Sequence, residues 1–200
     1  MDQFQKSLTS VLETLSLHLG DEQYRALLGH YELLVRWNAR INLTSLRSPE
    51  EIAIRHFGES LFLARALPGS GTLVDIGSGA GFPGAPIATL WPGMRVTLVE
   101  SRQKKAVFLK ELARQSKNIE VLHSSFEASE SRFDWGTLRA VRPGRIWGSV
   151  RARVGALAML VTEGQIEAIL GAGGVHWREP IRLPWGNSRC LLIGTVPRGT

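Results

Sequence analysis

The sequence predicts an α/β domain, with a mostly parallel central sheet, a C-terminal antiparallel hairpin and an N-terminal helical cap. Three observations carry this. After Gly71, short β-rich runs alternate with helical stretches at the spacing of crossover connections. A cluster of glycines follows the first of these runs directly. Near the end, Pro184-Trp185-Gly186-Asn187-Ser188 separates two extended segments as a hairpin turn would. With 200 residues, 44% of them hydrophobic and 21% charged, the chain can bury a real core. It is read as one domain, with residues 1–67 as the cap and 68–200 as the α/β core.

In chain order, Phe4, Leu8, Val11, Leu12 and Leu15 recur at helical spacing. Asp21 is placed to cap a second helix, whose apolar line runs Tyr24, Leu27, Leu28, Tyr31, Leu34, Val35, Asn38 and Ile41. Ser48-Pro49-Glu50-Glu51 starts a third: Ser48 caps, Pro49 suits the first helical position and Glu51 completes a capping box. That helix carries Ile52, His56, Phe57 and Leu61 and ends before Pro68-Gly69. Strands are expected at Thr72–Ile76, Val96–Glu100, Ile119–Leu122 and Leu138–Val141. Helices are expected at Pro83–Leu90, Lys104–Gln115 and Val154–Leu170, and the hairpin limbs at Val175–Leu183 and Arg189–Val196.

Composition narrows the function classes. One cysteine, Cys190, cannot form an internal bridge, so nothing points to an oxidising compartment, and its place in the last hairpin reads as a buried thiol. No run reaches the roughly 18 apolar residues of a membrane helix, and the first ten residues lack signal-peptide character, so a cytoplasmic chain is expected. Charge is uneven. The first hundred residues hold 8 basic and 10 acidic side chains, the second hundred 16 and 8, and 19 of the 24 basic residues are Arg. A basic half suits a polyanion partner, or is simply a soluble basic surface.

The most informative segment is Asp75-Ile76-Gly77-Ser78-Gly79-Ala80-Gly81-Phe82-Pro83-Gly84. Glycines after a first parallel strand let the chain turn sharply and let a ligand approach the backbone. The dinucleotide pattern G-x-G-x-x-G fails, because Phe82 stands at its third glycine. Asp75 would repel a pyrophosphate, and no Gly-Lys-Ser/Thr follows to make a P-loop. A ligand with a cationic end fits better, such as S-adenosylmethionine with its sulfonium and amino groups. Glu100, ending the second strand, is placed to accept the ribose hydroxyls. Asp75 faces either the loop backbone or the ligand's amino group.

These blocks resemble the RsmG (GidB) family of bacterial 16S ribosomal RNA guanine-N7 methyltransferases. Trp37-Asn38-Ala39-Arg40-Ile41-Asn42-Leu43-Thr44 is similar to its W-N-x-x-I-N-L-T. His56-Phe57-Gly58-Glu59-Ser60-Leu61 is similar to H-x-x-D-S-L with Glu for Asp, and Asp75 to Gly84 matches D-I-G-S-G-A-G-F-P-G throughout. Ser101-Arg102-Gln103-Lys104-Lys105 with Phe108-Leu109 resembles S-x-x-K-K-x-x-F-L, and Phe133-Asp134 and Arg139-Ala140 resemble F-D and S-R-A. Ser125-Phe126-Glu127 stands where the family usually reads R-A-E. The resemblance implies a Rossmann-like class I methyltransferase fold, S-adenosylmethionine as cofactor, and 16S ribosomal RNA or the small ribosomal subunit as partner of a monomer. It implies that Gly77, Phe82, Glu100, Phe126, Glu127 and Arg139 touch the cofactor, beside Asp75 and Gly79 of the loop, with Arg139 also positioning the reaction.

Guanine N7 carries a free lone pair, so its methylation needs alignment rather than a base. The sequence shows no paired acid and base, no Cys placed as a nucleophile and no His/Cys metal spacing. Asn42 is a candidate for a guanine edge or for a helix cap, Asn38 for a cap, and His56 for a core histidine with one hydrogen bond. Lys104 and Lys105 are placed either to reach phosphates or simply as solvated surface. Arg142 and Arg145 belong to a segment with five Arg in residues 139–153 that reads either as an RNA-following stretch with Trp147 as a stacking platform or as a loop that orders only on RNA. Two other functions share these features: a methyltransferase for a small molecule or protein, and a non-catalytic RNA-binding relative.

Overall fold

The computed structural model describes residues 1–139, 146–186 and 188–197. Two helices open the chain, α1 (Asp2–Thr14) and α2 (Asp21–Asn38). The apolar stripe of α1 is buried as its spacing predicts. On α2 the buried line is Leu27, His30, Tyr31, Leu33 and Leu34, while Val35 is exposed, so the stripe is rotated from the predicted one. Gly20, not Asp21, is the N-cap. Its N–H donates to Gln23 Oε1 at 2.9 Å, and Asp21 sits in the first turn where its charge meets the helix dipole.

The third predicted helix is present but is not uniform. α3 (Pro49–Ile52) is capped by Ser48, which accepts from Glu51 N–H, and it is the Glu50 carboxylate that takes the Ser48 hydroxyl. The chain then widens into a π-helical stretch, Ala53–Gly58, before α4 (Glu59–Ala64). Such widening turns side chains off the α-helical face and is frequent at functional sites.

The core alternates as predicted through β1 (Gly71–Ile76), α5 (Gly84–Leu90), β2 (Met94–Val99), α6 (Gln103–Ala113) and β3 (Ile119–Leu122). The fourth strand, expected at Leu138–Val141, begins earlier: β4 is Phe133–Arg139, and residues 140 and 141 lie outside the described residues. After α7 (Ile146–Arg153) the prediction of one helix over 154–170 is corrected. Val154–Thr162 is a strand, β5, and only Glu163–Leu170 is helical, α8. The segment Ala156–Val161 is buried on both faces between β4 and β8, so its apolar run has no polar side to reveal a period of two. β6 (His176–Trp177) and β7 (Ile181–Arg182) both pair antiparallel with β8 (Arg189–Thr195), as the hairpin signal predicts. Their registers differ by one residue, a bulge centred on Arg178-Glu179-Pro180, where proline removes a ladder donor.

The sheet order is β3-β2-β1-β4-β5-β8-β6, parallel from β3 through β5. One face packs Leu73, Val96, Leu98, Ala158 and Leu160 against the cap residues Phe4, Leu8, Leu34, Phe57 and Leu61. The other buries Val74, Ile76, Leu138, Leu157, Met159 and Leu192 with Trp147 and Val150 of α7. Cys190 is buried on this second face. No described helix is long and apolar enough to cross a membrane.

Candidate active site

Strand order reverses between β1 and β4, because the chain winds outward through β2 and β3 and then returns to the other side of β1. A crevice therefore opens at the carboxyl ends of these strands, the usual ligand position in such sheets. The glycine loop leaves β1 into this crevice. Gly77, Gly79 and Gly81 have φ of 75°, 56° and 85°, a region glycine enters without penalty. Gly77 and Ser78 donate their N–H groups to Val99 O at 2.9 and 3.0 Å, which ties the loop to the end of β2. Gly77 is exposed and Gly79 half-buried, so backbone faces the crevice.

Two carboxylates hold this loop. Asp75 is 1% exposed; its Oδ2 accepts from Gly84 N at 3.0 Å and its Oδ1 from Thr137 Oγ1 at 3.1 Å. Burial pushes its pKa from 3.8 to about 6 against these hydrogen bonds. Asp75 thus faces the loop backbone. Glu100 accepts from Gly79 N at 3.0 Å through Oε2 and from Arg102 N at 2.8 Å through Oε1. A carboxylate oxygen has two lone pairs, so each keeps acceptor capacity toward the crevice.

Phe82 is 5% exposed and lies between two imidazoles: His30 at 4.5 Å and His56 at 4.6 Å between centroids, each 14° from parallel. His30 Nε2–H donates to Ala80 O at 2.8 Å, and burial lowers its pKa to about 4. The His56 Nδ1 lies 3.0 Å from Arg139 Nη1. A guanidinium only donates, so Nδ1 accepts, and the ring proton sits on Nε2, directed at Thr44 Oγ1 2.8 Å away. Burial, then the Arg139 charge, lowers the His56 pKa to about 3. Both rings are neutral, and they clamp the loop to the cap.

Arg139, at the end of β4, reaches from the crevice into the cap. Its Nη2 donates to Arg55 O at 2.6 Å and pairs with Glu59 Oε2 at 3.2 Å. Arg189 Nε pairs with Glu59 Oε1 at 2.9 Å. Burial raises the Glu59 pKa against the pull of these cations, and burial lowers that of Arg139 to about 10, still charged at neutral pH.

The other predicted residues fall into three groups. Asn42, Lys104 and Lys105 come together with Ile41, Arg102 and Gln103 around a cleft of about 310 Å³. Asn42 is exposed, whereas Asn38 closes the end of α2 by accepting from Leu43 N and Thr44 N. Phe126 and Glu127 begin a 3₁₀ turn whose carbonyls accept from Arg153, at 2.8 and 3.2 Å; Phe126 is buried and Glu127 exposed. Trp147 is no stacking platform: it is 5% exposed, donates to Gly173 O and stacks on Trp177. Arg142 and Arg145 lie outside the described residues. The reading of the sequence missed His30, Arg55 and Arg189. For His30 a signal existed, since it follows Leu27 by three residues on the buried stripe.

The rRNA small subunit methyltransferase G family matches residues 23–160. The chain belongs to this family. The ribosomal RNA small subunit methyltransferase G of Geotalea uraniireducens is 32% identical over 175 residues, 84% of this chain and 78% of that protein. That of Pseudomonas fluorescens is 38% identical over 128 residues, and that of Alkaliphilus metalliredigens 32% over 139. The chain spans 59% and 58% of the length of these two relatives. Among solved structures, a SAM-dependent methyltransferase from Aquifex aeolicus aligns with a TM-score of 0.61 at 16% identity, covering 78% of this chain and 97% of its own. A methyltransferase from Pyrococcus furiosus gives 0.61 at 17%, covering 82% and 94%. The fold is accordingly the Rossmann-like methyltransferase fold.

Proposed function

We propose that this chain binds S-adenosylmethionine in the crevice above β1 and β2 and transfers its methyl group to N7 of a guanine in 16S ribosomal RNA. The observation that carries this reading is Glu100. It sits at the end of β2, tied to Gly79 N beside exposed loop backbone, with acceptor capacity left for a pair of ribose hydroxyls. When bound, the cofactor supplies an electrophilic methyl on a sulfonium. Gly77 and Gly79 allow its close approach, and Phe126 and Glu127 would contact it from the turn that follows β3. Asp75 acts through the loop: it fixes the turn into α5 by accepting from Gly84 N–H, and its negative charge would favour a cationic ligand end near the loop. Phe82, held between His30 and His56, keeps the loop in register with the cap. Arg139 aligns the cap over the crevice.

No group here is needed to remove a proton, since guanine N7 is already a nucleophile, and alignment is the enzyme's main task. The cleft formed by Asn42, Lys104 and Lys105 offers cations for an RNA backbone, and Lys105 Nζ lies close to Gly79 of the glycine loop. In this reading the chain works in the cytoplasm as a monomer, on 16S RNA or the small ribosomal subunit. Calorimetry with S-adenosylmethionine tests its first step. Saturable one-to-one binding is expected, and no heat at millimolar ligand overturns the reading.

A further inference from the structure

Three guanidinium groups gather around one carboxylate at the junction of cap and sheet. Glu59 is 3% exposed and pairs with both Arg139 and Arg189, whose side chains are 15% and 14% exposed. Arg55, from the π-helical stretch, is the third: Glu59 and Arg139 both feel its charge, and its carbonyl accepts from Arg139, while its Nε, like Arg189 Nε and Glu59 Oε2, is buried with no hydrogen-bond partner among the described residues. His56 beside them is neutral. Asp75, the other carboxylate whose field Arg139 feels, is committed to Gly84 and Thr137. Even counting both carboxylates, the cluster keeps a net positive charge. None of the residues outside the described set has an acidic side chain to offset it.

The cluster's place in the fold gives that surplus a direction. Arg139 ends β4, and Arg189 begins antiparallel β8 opposite Thr162, the last residue of β5. Both therefore lie at the edge of the sheet where the crevice opens. The π-helical stretch brings Arg55 to the same edge, and its carbonyl is already fastened to Arg139. A largely buried cluster with spare cationic charge at the edge of the crevice is matched by a phosphate, which presents several acceptor oxygens to a planar fork.

We propose that Arg55, with Arg139 and Arg189, forms a phosphate subsite that grips the RNA phosphodiester next to the methylated guanosine. This rests on the RNA reading given above. Glu59 holds Arg139 and Arg189 as a preformed pair of arms, and Arg55 supplies the charge that Glu59 does not neutralise. The subsite is separate from the Lys104–Lys105 cleft, so the substrate strand would be held on both sides of the cofactor.

Arg55→Gln tests it, because it leaves both Glu59 ion pairs in place. Two arms are read on the full chain. In the first, inorganic phosphate is titrated at constant ionic strength and the melting temperature is followed; it rises for the unsubstituted protein and not for Arg55→Gln. In the second, affinity for 16S RNA falls about tenfold in the variant, its salt dependence drops by roughly one phosphate contact, and affinity for S-adenosylmethionine is unchanged. Equal phosphate responses in the two proteins overturn the subsite. A phosphate response lost in the variant, with no 16S RNA binding by either protein, upholds an anion subsite and overturns both its assignment to RNA and the RNA reading itself. Arg55→Lys, which keeps the charge but not the fork, should recover part of the RNA affinity; a variant that melts early and loses cofactor binding too marks Arg55 as structural and overturns the proposal.

Discussion

Asp75→Asn should make the protein more stable at neutral pH. The Asp75 carboxylate is 1% exposed, and burial raises its pKa from 3.8 to about 6. Each tenfold change in proton affinity is worth ~1.4 kcal/mol, so keeping this group ionised in the fold costs roughly 3 kcal/mol. The sign follows from the raised value. The folded state holds the proton more tightly, so the carboxyl's contribution is fully favourable below pH 3.8 and is lost as pH rises through 6. Asparagine preserves the shape: its oxygen can accept from Gly84 N–H, and its amide can donate to Thr137 Oγ1. In urea denaturation the variant should therefore gain about 3 kcal/mol at pH 8, roughly half of that at pH 5, and little near pH 4. If Asp75 also supplies negative charge beneath a cationic cofactor, the same variant binds S-adenosylmethionine more weakly while melting higher. A variant less stable at pH 8, or a gain that does not change with pH, would show that the buried Asp75 charge does not cost stability in the fold.

Two other substitutions probe how the loop is held. A Cβ on Gly84 would lie 2.3 Å from Leu98 Cδ2 and 2.8 Å from Asp75 Oδ2, so Gly84→Ala should cost about 2 kcal/mol or more in denaturant unfolding. His30→Phe keeps an aromatic ring on Phe82 but leaves the buried Ala80 carbonyl without its donor. It should lose ~1–3 kcal/mol of stability and, by loosening the loop, weaken cofactor binding measured by calorimetry.

The parallel core was legible because each of its parts announces itself locally. The run Leu73–Ile76 precedes glycines, α6 carries a helical stripe, and Pro184 to Ser188 marks the hairpin. β5 was not legible as a strand. Ala156–Val161 is apolar on both faces, and a short run of that kind reads equally well as a buried helix. The glycine loop and Glu100 were legible because their spacing is itself the signal. The cluster around Glu59 was not, since Arg139 and Arg189 lie 80 and 130 residues further along the chain and meet it only through the sheet order. Trp147 misled for a related reason: its Arg-rich neighbours suggest an exposed face, yet α7 turns that one ring into the core.

Methyl transfer to a guanine N7 is read directly in the nucleosides of 16S RNA. The RNA would be taken from cells lacking this gene, incubated with the purified protein and S-adenosylmethionine, digested and measured by mass spectrometry. New 7-methylguanosine is expected, about one per 16S molecule and absent without cofactor. A protein that binds S-adenosylmethionine yet adds no 7-methylguanosine to free 16S RNA or to the small subunit would contradict N7 methyl transfer.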